Sequence, residues 1–240
     1  MMAYQATFKR YELKYLLTKE EKKRVLKCME EHMKLDQYGR VTIRNIYFDT
    51  DSYRLIRRSL EKPIYKEKLR VRSYRQAGPE DSVFVELKKK YKSVVYKRRL
   101  VLPEEKVMEC FAFGKPLPIC SQIGEEIAYF RSYYGTLHPT VFLSYEREAY
   151  YALDGSDFRV TFDENILYRE EDISLRSEIY GTPVLGENQT LMEIKTSGGI
   201  PLWMSEVLTQ NKLFKTSFSK YGTAYQQIMN EKVQRGVQYA

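Results

Sequence analysis

The chain has 240 residues, 43% hydrophobic and 30% charged, and its 40 Lys and Arg against 32 Asp and Glu give a formal net charge of +8. This composition excludes a disordered chain, and no run comes near the roughly 20 consecutive apolar residues that span a bilayer. The opening MMAYQATFKRYELKY lacks the apolar stretch of a secretory leader, so a cytoplasmic protein is expected, with an anionic partner: nucleic acid, a membrane surface or a phosphate compound.

In chain order, polar–apolar alternation predicts strands over about residues 6–16, 41–48, 65–74, 82–91, 93–102, 139–151, 157–162 and 190–197, eight in all. Helices fall between them. Thr18, with Glu21 three residues on, is a capping-box signature for TKEEKKRVLKCMEEHM. Pro103 suits the first turn of PEEKVMECFAFG, and SQIGEEIAYFRSYYG and KYGTAYQQIMNEKV read as two more helices. RQAGPEDS (75–82) and LDGSD (153–157) are turns, and GTPVLGENQ (181–189) is a longer loop. No repeat or flexible linker interrupts the chain, so a single domain over 1–240 is expected. Neighbouring strands joined by short turns predict an α+β fold. At eight strands the antiparallel sheet is expected to close into a barrel, with helices packed outside and room inside for a ligand. Cys28, Cys110 and Cys120 show no CxxC spacing, which argues against zinc or disulfides; Cys28 and Cys110 read as buried thiols in helices. His32 and His138 have no evident catalytic partner.

In YKEKLRVRSY (65–74), Lys66, Lys68, Arg70 and Arg72 occupy alternate positions and share one face, where like charges repel. Other strands repeat the pattern: Arg10, Glu12 and Lys14; Glu86, Lys88 and Lys90; Lys97 and Arg99; Tyr145 and Arg147; Arg159, Thr161 and Asp163; Glu193 and Lys195. A sheet with one wet face gives the same alternation. The bias to Lys and Arg, and helices that need an apolar surface to pack on, favour apolar faces turned outward and charged faces lining a tunnel. Such a tunnel is costly when empty and dry but suits a polyanion, since Arg meets phosphate oxygens bidentately and Lys acts as a point charge. Glu12, Glu86 and Glu193 would hold a hard divalent cation or fix neighbouring Lys and Arg by ion pairs.

FKRYELKYLL, IRNIYFDT, YKEKLRVRSY, VFVELKKKYKSVVYKRRL, SYEREAYY, FRVTFDENI, LMEIKTSGGIPLW and SFSKYGTAYQ follow one another from about residue 6 to 228. In that order they resemble the polyphosphate polymerase domain of the vacuolar transporter chaperone family, one of the triphosphate tunnel metalloenzymes related to the CYTH proteins. The resemblance implies an eight-stranded antiparallel tunnel that transfers the γ-phosphate of ATP onto inorganic polyphosphate with Mn²⁺ or Mg²⁺. By motif position, Arg70, Arg72, Lys88, Arg147 and Lys220 would be catalytic. Lys14 and Lys97 would bind substrate phosphates, with Tyr145 and Ser219 adding hydrogen bonds; Lys68, Arg159 and Lys195 join them on the same strand faces. Glu193 would ligate the metal, with Glu12 as a second candidate. CYTH relatives carry ExExK in the first strand, where this chain has Arg10, Glu12 and Lys14; the lost carboxylate favours a polymerase-like phosphate grip over the cyclase or thiamine-triphosphatase branches. No inositol-phosphate-sensing domain or membrane helix accompanies these motifs, so regulation by inositol pyrophosphates and coupled translocation are not carried over. The implied partners are ATP and inorganic polyphosphate, with no nucleic acid; a membrane-protein partner stays open.

Two other functions would use the same face. Hydrolysis of triphosphate or a nucleoside triphosphate needs a positioned water in place of the acceptor chain. A non-enzymatic binding module for polyphosphate or nucleic acid needs no chemistry, but single-strand binders add exposed aromatic platforms to a basic groove. The 21 tyrosines fall mostly on apolar strand faces or in helices such as IAYFRSYYG, where core packing is expected. Ser219 and Lys220 precede a helix and so suit a phosphate at its N-terminus. KTSGG (195–199) lacks P-loop spacing and reads as a turn. RSLEKP (58–63) reads as a helix-to-turn junction, with Arg57, Arg58 and Lys62 either a tunnel rim or solvated surface.

Overall fold

The structure, a computed structural model, describes residues 7–92 and 94–236, with side chains from Tyr11 onward. The Arg10 side chain, and with it the comparison to ExExK, lies outside the described residues. β1 (Thr7–Thr18) leads into α1 (Lys19–Met29) through the predicted capping box: the Glu21 N–H donates to Thr18 Oγ1 at 3.2 Å and the Thr18 N–H to Glu21 Oε2 at 2.7 Å. Then come β2 (Met33–Leu35), β3 (Val41–Asp49), α2 (Arg54–Leu60), β4 (Tyr65–Ser73), β5 (Ser82–Tyr91) and β6 (Val94–Pro103). The second half holds α3 (Glu104–Ala112), α4 (Gln122–Tyr134), β7 (His138–Ala152), β8 (Arg159–Arg169), β9 (Thr182–Pro183), β10 (Gln189–Thr196), α5 (Leu202–Gln210) and α6 (Lys220–Gln234). Pro103 is the N-cap of α3, one position before the first turn assigned to it from sequence.

All strand pairings are antiparallel. From β3 they run through β4, β5, β6, β1, β10, β8 and β7, and β7 pairs in turn with β3. β2 and β9 add to β7 and β8, so the sheet has ten strands where eight were expected. At three and two residues they are too short for alternation to reveal them. β8 runs past its expected end at 162; Asn165, at a left-handed φ of 48°, and a register shift against β7 between Ser144 and Glu146 interrupt the alternation there, which hides the rest of the strand. Sequence reading missed α5 and the start of α2, whose end at Leu60 falls in the helix-to-turn junction expected over 58–63; α2 begins after Tyr53, itself left-handed at φ 56°, with no side-chain cap to announce it.

The apolar strand faces turn outward to the helices. Leu69, Val71, Val83, Val85, Leu87 and Leu100 are buried against Val107 and Phe111 of α3 and Ile127 and Phe130 of α4. Tyr15, Leu17, Val160, Phe162, Met192 and Ile194 meet Val25 and Met29 of α1 and Met204 and Val207 of α5. Full burial of each such aliphatic side chain is worth roughly 1.5–3 kcal/mol. The opposite faces are not charged throughout, which corrects the sequence reading. By the same two-residue parity, Ile43, Tyr47, Leu143, Tyr145 and Leu191 lie on the inner side, where they pack with Tyr221, Ala224 and Ile228 of α6. α6 therefore fills one end of the interior.

Two other expectations change, for Cys28 and for the tyrosines of α4. Cys28 is exposed, because Val25 and Met29 take the core side of α1; Cys110 is buried as expected. Tyr129 (73% exposed) and Tyr133 (52%) face solvent, and only Tyr134 of that helix joins the core. His32 stacks on Trp203 with ring centroids 4.3 Å apart, and His138 Nδ1 lies 3.4 Å from Asp51.

Asp49 joins β3, α2 and α6. Its carboxylate accepts the N–H groups of Thr50 (2.9 Å), Leu55 (2.8 Å) and Ile56 (3.0 Å) and the Tyr221 hydroxyl (3.0 Å). Asp49→Ala leaves these donors without an acceptor and is expected to cost roughly 2–4 kcal/mol of folding free energy in urea titrations. A loss below about 1 kcal/mol would contradict this role.

Candidate active site: a cationic interior

Glu86 on β5 is 0% exposed and stands in register between Arg70 on β4 and Arg99 on β6. Arg70 Nε and Nη2 each lie 2.7 Å from Glu86 Oε2; Lys97 Nζ at 2.7 Å and Arg99 Nη2 at 2.5 Å hold Oε1; Arg72 Nη1 stands 3.8 Å away. Burial alone would push this carboxyl up, but Arg72, Lys97, Arg70 and Arg99 hold it well below the usual carboxylate range. The arginines are fixed from their other side too. Arg70 Nη1 donates to the Tyr47 hydroxyl at 3.0 Å, Arg72 Nε to Asn45 Oδ1 at 2.9 Å and Arg72 Nη2 to the Tyr145 hydroxyl at 2.9 Å. Asn45 is itself set by donating its Nδ2 to the Leu143 carbonyl at 2.9 Å.

A second cluster lies across the interior. Asp163 on β8, 0% exposed, accepts Arg147 Nε at 2.6 Å and Nη2 at 2.7 Å, with Lys220 Nζ at 2.5 Å. Glu193 on β10 is surrounded by Lys195 (3.1 Å), Lys220 (3.1 Å), Lys14 (3.5 Å) and Arg147 (3.5 Å). Glu12 on β1 pairs with Lys88 at 2.6 Å. Burial opposes the charge on Lys220, yet Asp163 and Glu193 raise its ammonium above the usual range. Burial, aided by Arg147 and opposed by Glu193, brings Lys195 down to about 8.

Among the described residues no carboxylate pairs with Lys68. Its Nζ donates to Ser219 Oγ at 2.9 Å, and burial followed by repulsion from Lys14, Lys88, Lys66 and Arg70 pushes it well below the usual lysine range. Lys14 on β1 is separated from β4 along the sheet by β5 and β6, so this repulsion acts across the interior. Ser219 also caps α6 by accepting the Gly222 N–H at 3.1 Å, and Lys14 Nζ donates to the Phe218 carbonyl at 2.9 Å. The positive end of α6 thus faces the lysines and adds to the pull on an anion.

The structure therefore brings together Lys14, Lys68, Arg70, Arg72, Lys88, Lys97, Tyr145, Arg147, Glu12, Glu193, Lys195, Ser219 and Lys220. Arg159 stands apart, paired in register with Lys195 but with its guanidinium 4.2 Å over the Tyr151 ring and outside both clusters. Sequence reading did not assign Asp163, Arg99, Tyr47 or Asn45 a place in the site. Asp163 and Arg99 were visible on charged faces; Tyr47 and Asn45 sit in IRNIYFDT, which carries no distinguishing charge signal.

Among the described residues no three His, Cys, Asp or Glu side chains group as metal ligands. Glu193 is close enough to Glu12 to oppose its ionisation, and both offer hard oxygen donors. One or two carboxylates completed by substrate phosphates is a usual Mg²⁺ arrangement, so this pair fits Mg²⁺ or Mn²⁺. Glu86 and Asp163 are held by guanidinium groups instead and serve as positioning anions.

Two outcomes follow from these charges. A phosphate chain beside Lys68 offsets the repulsion that lowers its pKa, so binding of tripolyphosphate at a pH where the group is partly deprotonated should take up protons. Calorimetry in buffers of different ionisation enthalpy should show this uptake, reduced in Lys68→Met; equal uptake in the two proteins would refute it. Burial raises the Glu12 carboxyl, but Lys88 leads the interactions that bring it from 4.5 down to about 2. A depressed carboxyl stabilises the fold above its unfolded pKa and loses that contribution as pH falls through the folded one. The stability difference between wild type and Lys88→Met should therefore shrink as pH drops from 4.5 to about 2 in thermal melts.

No curated protein matches the chain. Its fold is similar to that of a candidate adenylate cyclase from Bacillus halodurans, at 16% identity and a TM-score of 0.56, over 90% of this chain and 96% of that one. It is similar also to a candidate adenylyl cyclase from Hippeastrum, described as having a dominant triphosphatase activity, at 14% identity and a TM-score of 0.56, over 89% and 92%. At these identities the likeness is one of fold. The profile of the VTC domain matches residues 9–229, from the first strand into the last helix. That match takes in both cation clusters and the helix that fills the interior, and by it the chain belongs to the VTC domain family.

Proposed function

We propose that the protein synthesises inorganic polyphosphate, passing the γ-phosphate of ATP to the end of a growing chain inside a tunnel enclosed by the ring of eight paired strands. The observation that carries this reading is the surplus of charge. Among the described residues, Lys14, Lys68, Arg70, Arg72, Lys88, Lys97, Arg99, Arg147, Lys195 and Lys220 outnumber the four carboxylates set among them, Glu12, Glu86, Asp163 and Glu193. The excess of positive charge is greater than the roughly four negative charges of one triphosphate. It suits a nucleotide donor and a phosphate-chain acceptor held together.

Arg70 and Arg72, locked by Glu86, Tyr47, Asn45 and Tyr145, present fixed N–H groups to the transferring phosphoryl oxygens, so little reorganisation is needed as charge shifts there. Lys88, Arg147 and Lys220 complete the clamp from the other wall. Lys14, Lys68, Lys97, Lys195 and Ser219 hold the remaining phosphates, and Arg159 stands near the Lys195 end of the same face. The acceptor is a terminal phosphate, already an anionic nucleophile, and needs no base; neither histidine belongs to the clusters. Glu193 and Glu12 would hold Mg²⁺ or Mn²⁺, which supplies further neutralisation of phosphate charge.

Hydrolysis by the same clamps, with water as acceptor, is the second reading; the activity described for the similarly folded Hippeastrum protein favours it. Incubation with ATP and Mn²⁺ should give a polymer that resists phosphatase and is cleaved by polyphosphatase. Arg70→Ala and Glu193→Gln should lower its yield on the order of 100-fold with unchanged circular dichroism. Orthophosphate as the sole product would replace synthesis with hydrolysis. Salt-dependent polyphosphate or RNA binding with no ATP turnover would leave a binding module.

A further inference from the structure

The outer side of the sheet carries a largely buried arginine with no partner among the described residues. Arg44 on β3 is 7% exposed, yet it makes no hydrogen bond or ion pair with any described residue, and its Nε is enclosed. Four enclosed side-chain polar atoms lack a partner among the described residues, and three of them gather here: Arg44 Nε, Ser144 Oγ and Arg169 Nη2. Ser144 on β7 is directly opposite Arg44, and Phe142, two residues along β7, is opposite Arg169 on β8.

The 170–181 segment lies over this place. Arg169, 6% exposed, sits 3.7 Å over the Phe142 ring and 4.3 Å from that of Tyr180. It donates to the carbonyls of Asp172 (3.0 Å), Glu178 (3.3 Å) and Tyr180 (3.2 Å). The nearby carboxylates are at the solvent edge and engaged elsewhere. Asp172 Oδ2 is 3.6 Å from Arg169 Nη2, but the Asp172 carboxylate accepts the hydroxyls of Ser177 at 2.6 Å and Tyr180 at 3.0 Å. Glu178 attracts Arg44 only from a distance and accepts Gln76 Nε2 at 3.2 Å. Burial and the repulsion of Arg169 both disfavour the charge on Arg44.

An unpaired buried charge is among the costliest features a fold can carry, and enclosed orphan donors are rare. Water would satisfy single N–H groups but would not offset the charge on Arg44, and Arg169 has the Asp172 carboxylate at 3.6 Å on one side alone. We propose that a small inorganic anion, orthophosphate or chloride, sits under the 170–181 segment between Arg44 and Arg169, accepting from Arg44 Nε, Arg169 Nη2 and Ser144 Oγ. Guanidinium donors suit both ions, and their planar fork matches an oxyanion. The site lies on the opposite side of the sheet from the phosphate clamps. It fastens the covering segment behind Asn45 and Tyr145, the sequence neighbours of Arg44 and Ser144 that hold Arg72.

Crystals of the wild-type protein, exchanged into bromide or into phosphate, test the site directly. An anomalous bromide peak, or phosphate density, within about 3.5 Å of Arg44 Nε is the expected result, and the two arms tell halide from oxyanion. Water alone at that position, or the Glu178 carboxylate turned inward onto Arg44, in both crystals would overturn the proposal. Melting of Arg44→Met is the second measurement. In gluconate it should melt at or above wild type, since an unpaired buried charge is gone; in chloride or phosphate of equal ionic strength wild type should regain the lead. The interior's own affinity for anions is common to both proteins and cancels. An Arg44→Met shift that is the same in every salt would also overturn the proposal.

Discussion

Mutual repulsion is the constraint on which this structure turns: ten Lys and Arg side chains crowd the inner side of the sheet, and their charges must be held in place against one another. The two walls solve the problem differently. On the β4–β6 side, one fully buried carboxylate, Glu86, draws Arg70, Lys97 and Arg99 onto its two oxygens, with Arg72 close by, while phenol and amide oxygens from β3 and β7 take other guanidinium hydrogens. On the β8–β10 side, Asp163 and Glu193 share Lys220 and Arg147. The first wall is a lattice of planar donors with fixed directions. Lys68 differs from both walls: the Ser219 hydroxyl holds it at 2.9 Å, and among the described residues no carboxylate pairs with it, so it can follow the shape of a bound chain. A rigid part for the reacting phosphate and a compliant part for the others is a sensible division for a substrate whose length changes each turnover.

This arrangement depends on inverting the usual sheet. Helices α1, α3, α4 and α5 cover the outer apolar faces, so the hydrophobic energy that holds the fold is spent outside and the interior can remain polar. The one interior stretch that is apolar is covered by α6, whose first turn carries Ser219 and Lys220 into the cation clusters. Core and site thus meet within a single helix.

Much of this was legible from residue order alone, since a strand's two-residue period assigns faces without any knowledge of its neighbours. Lys68, Arg70 and Arg72 could be placed together in that way. Register could not. Arg147 and Asp163 are partners only because β7 and β8 pair as they do, after a shift at Asn165 that no local pattern announces. Glu86 looked like a metal ligand or a clasp for neighbouring cations, and its position between Arg70 and Arg99 made it the second. Helix phase decided Cys28, Tyr129 and Tyr133: with Val25 and Met29, or Ile127, Phe130 and Tyr134, taking the buried stripe, the residues between them were left outside. Tyr47 and Asn45 gave no warning, because a phenol and an amide acquire their role only from the arginines that reach them.

The contact between β1 and the stretch before α6 has a consequence for biosynthesis. The Thr216 N–H bonds the Lys14 carbonyl at 2.7 Å, and Lys14 Nζ reaches Phe218, so residues some two hundred positions apart are joined. Translation delivers the basic strands long before the helix that occupies the space among them. Contacts of such separation are slow to form. Until they do, the basic strands lack the helix that carries Ser219 and Lys220 in among them, so the two cation clusters are completed only by the last part of the chain to be made.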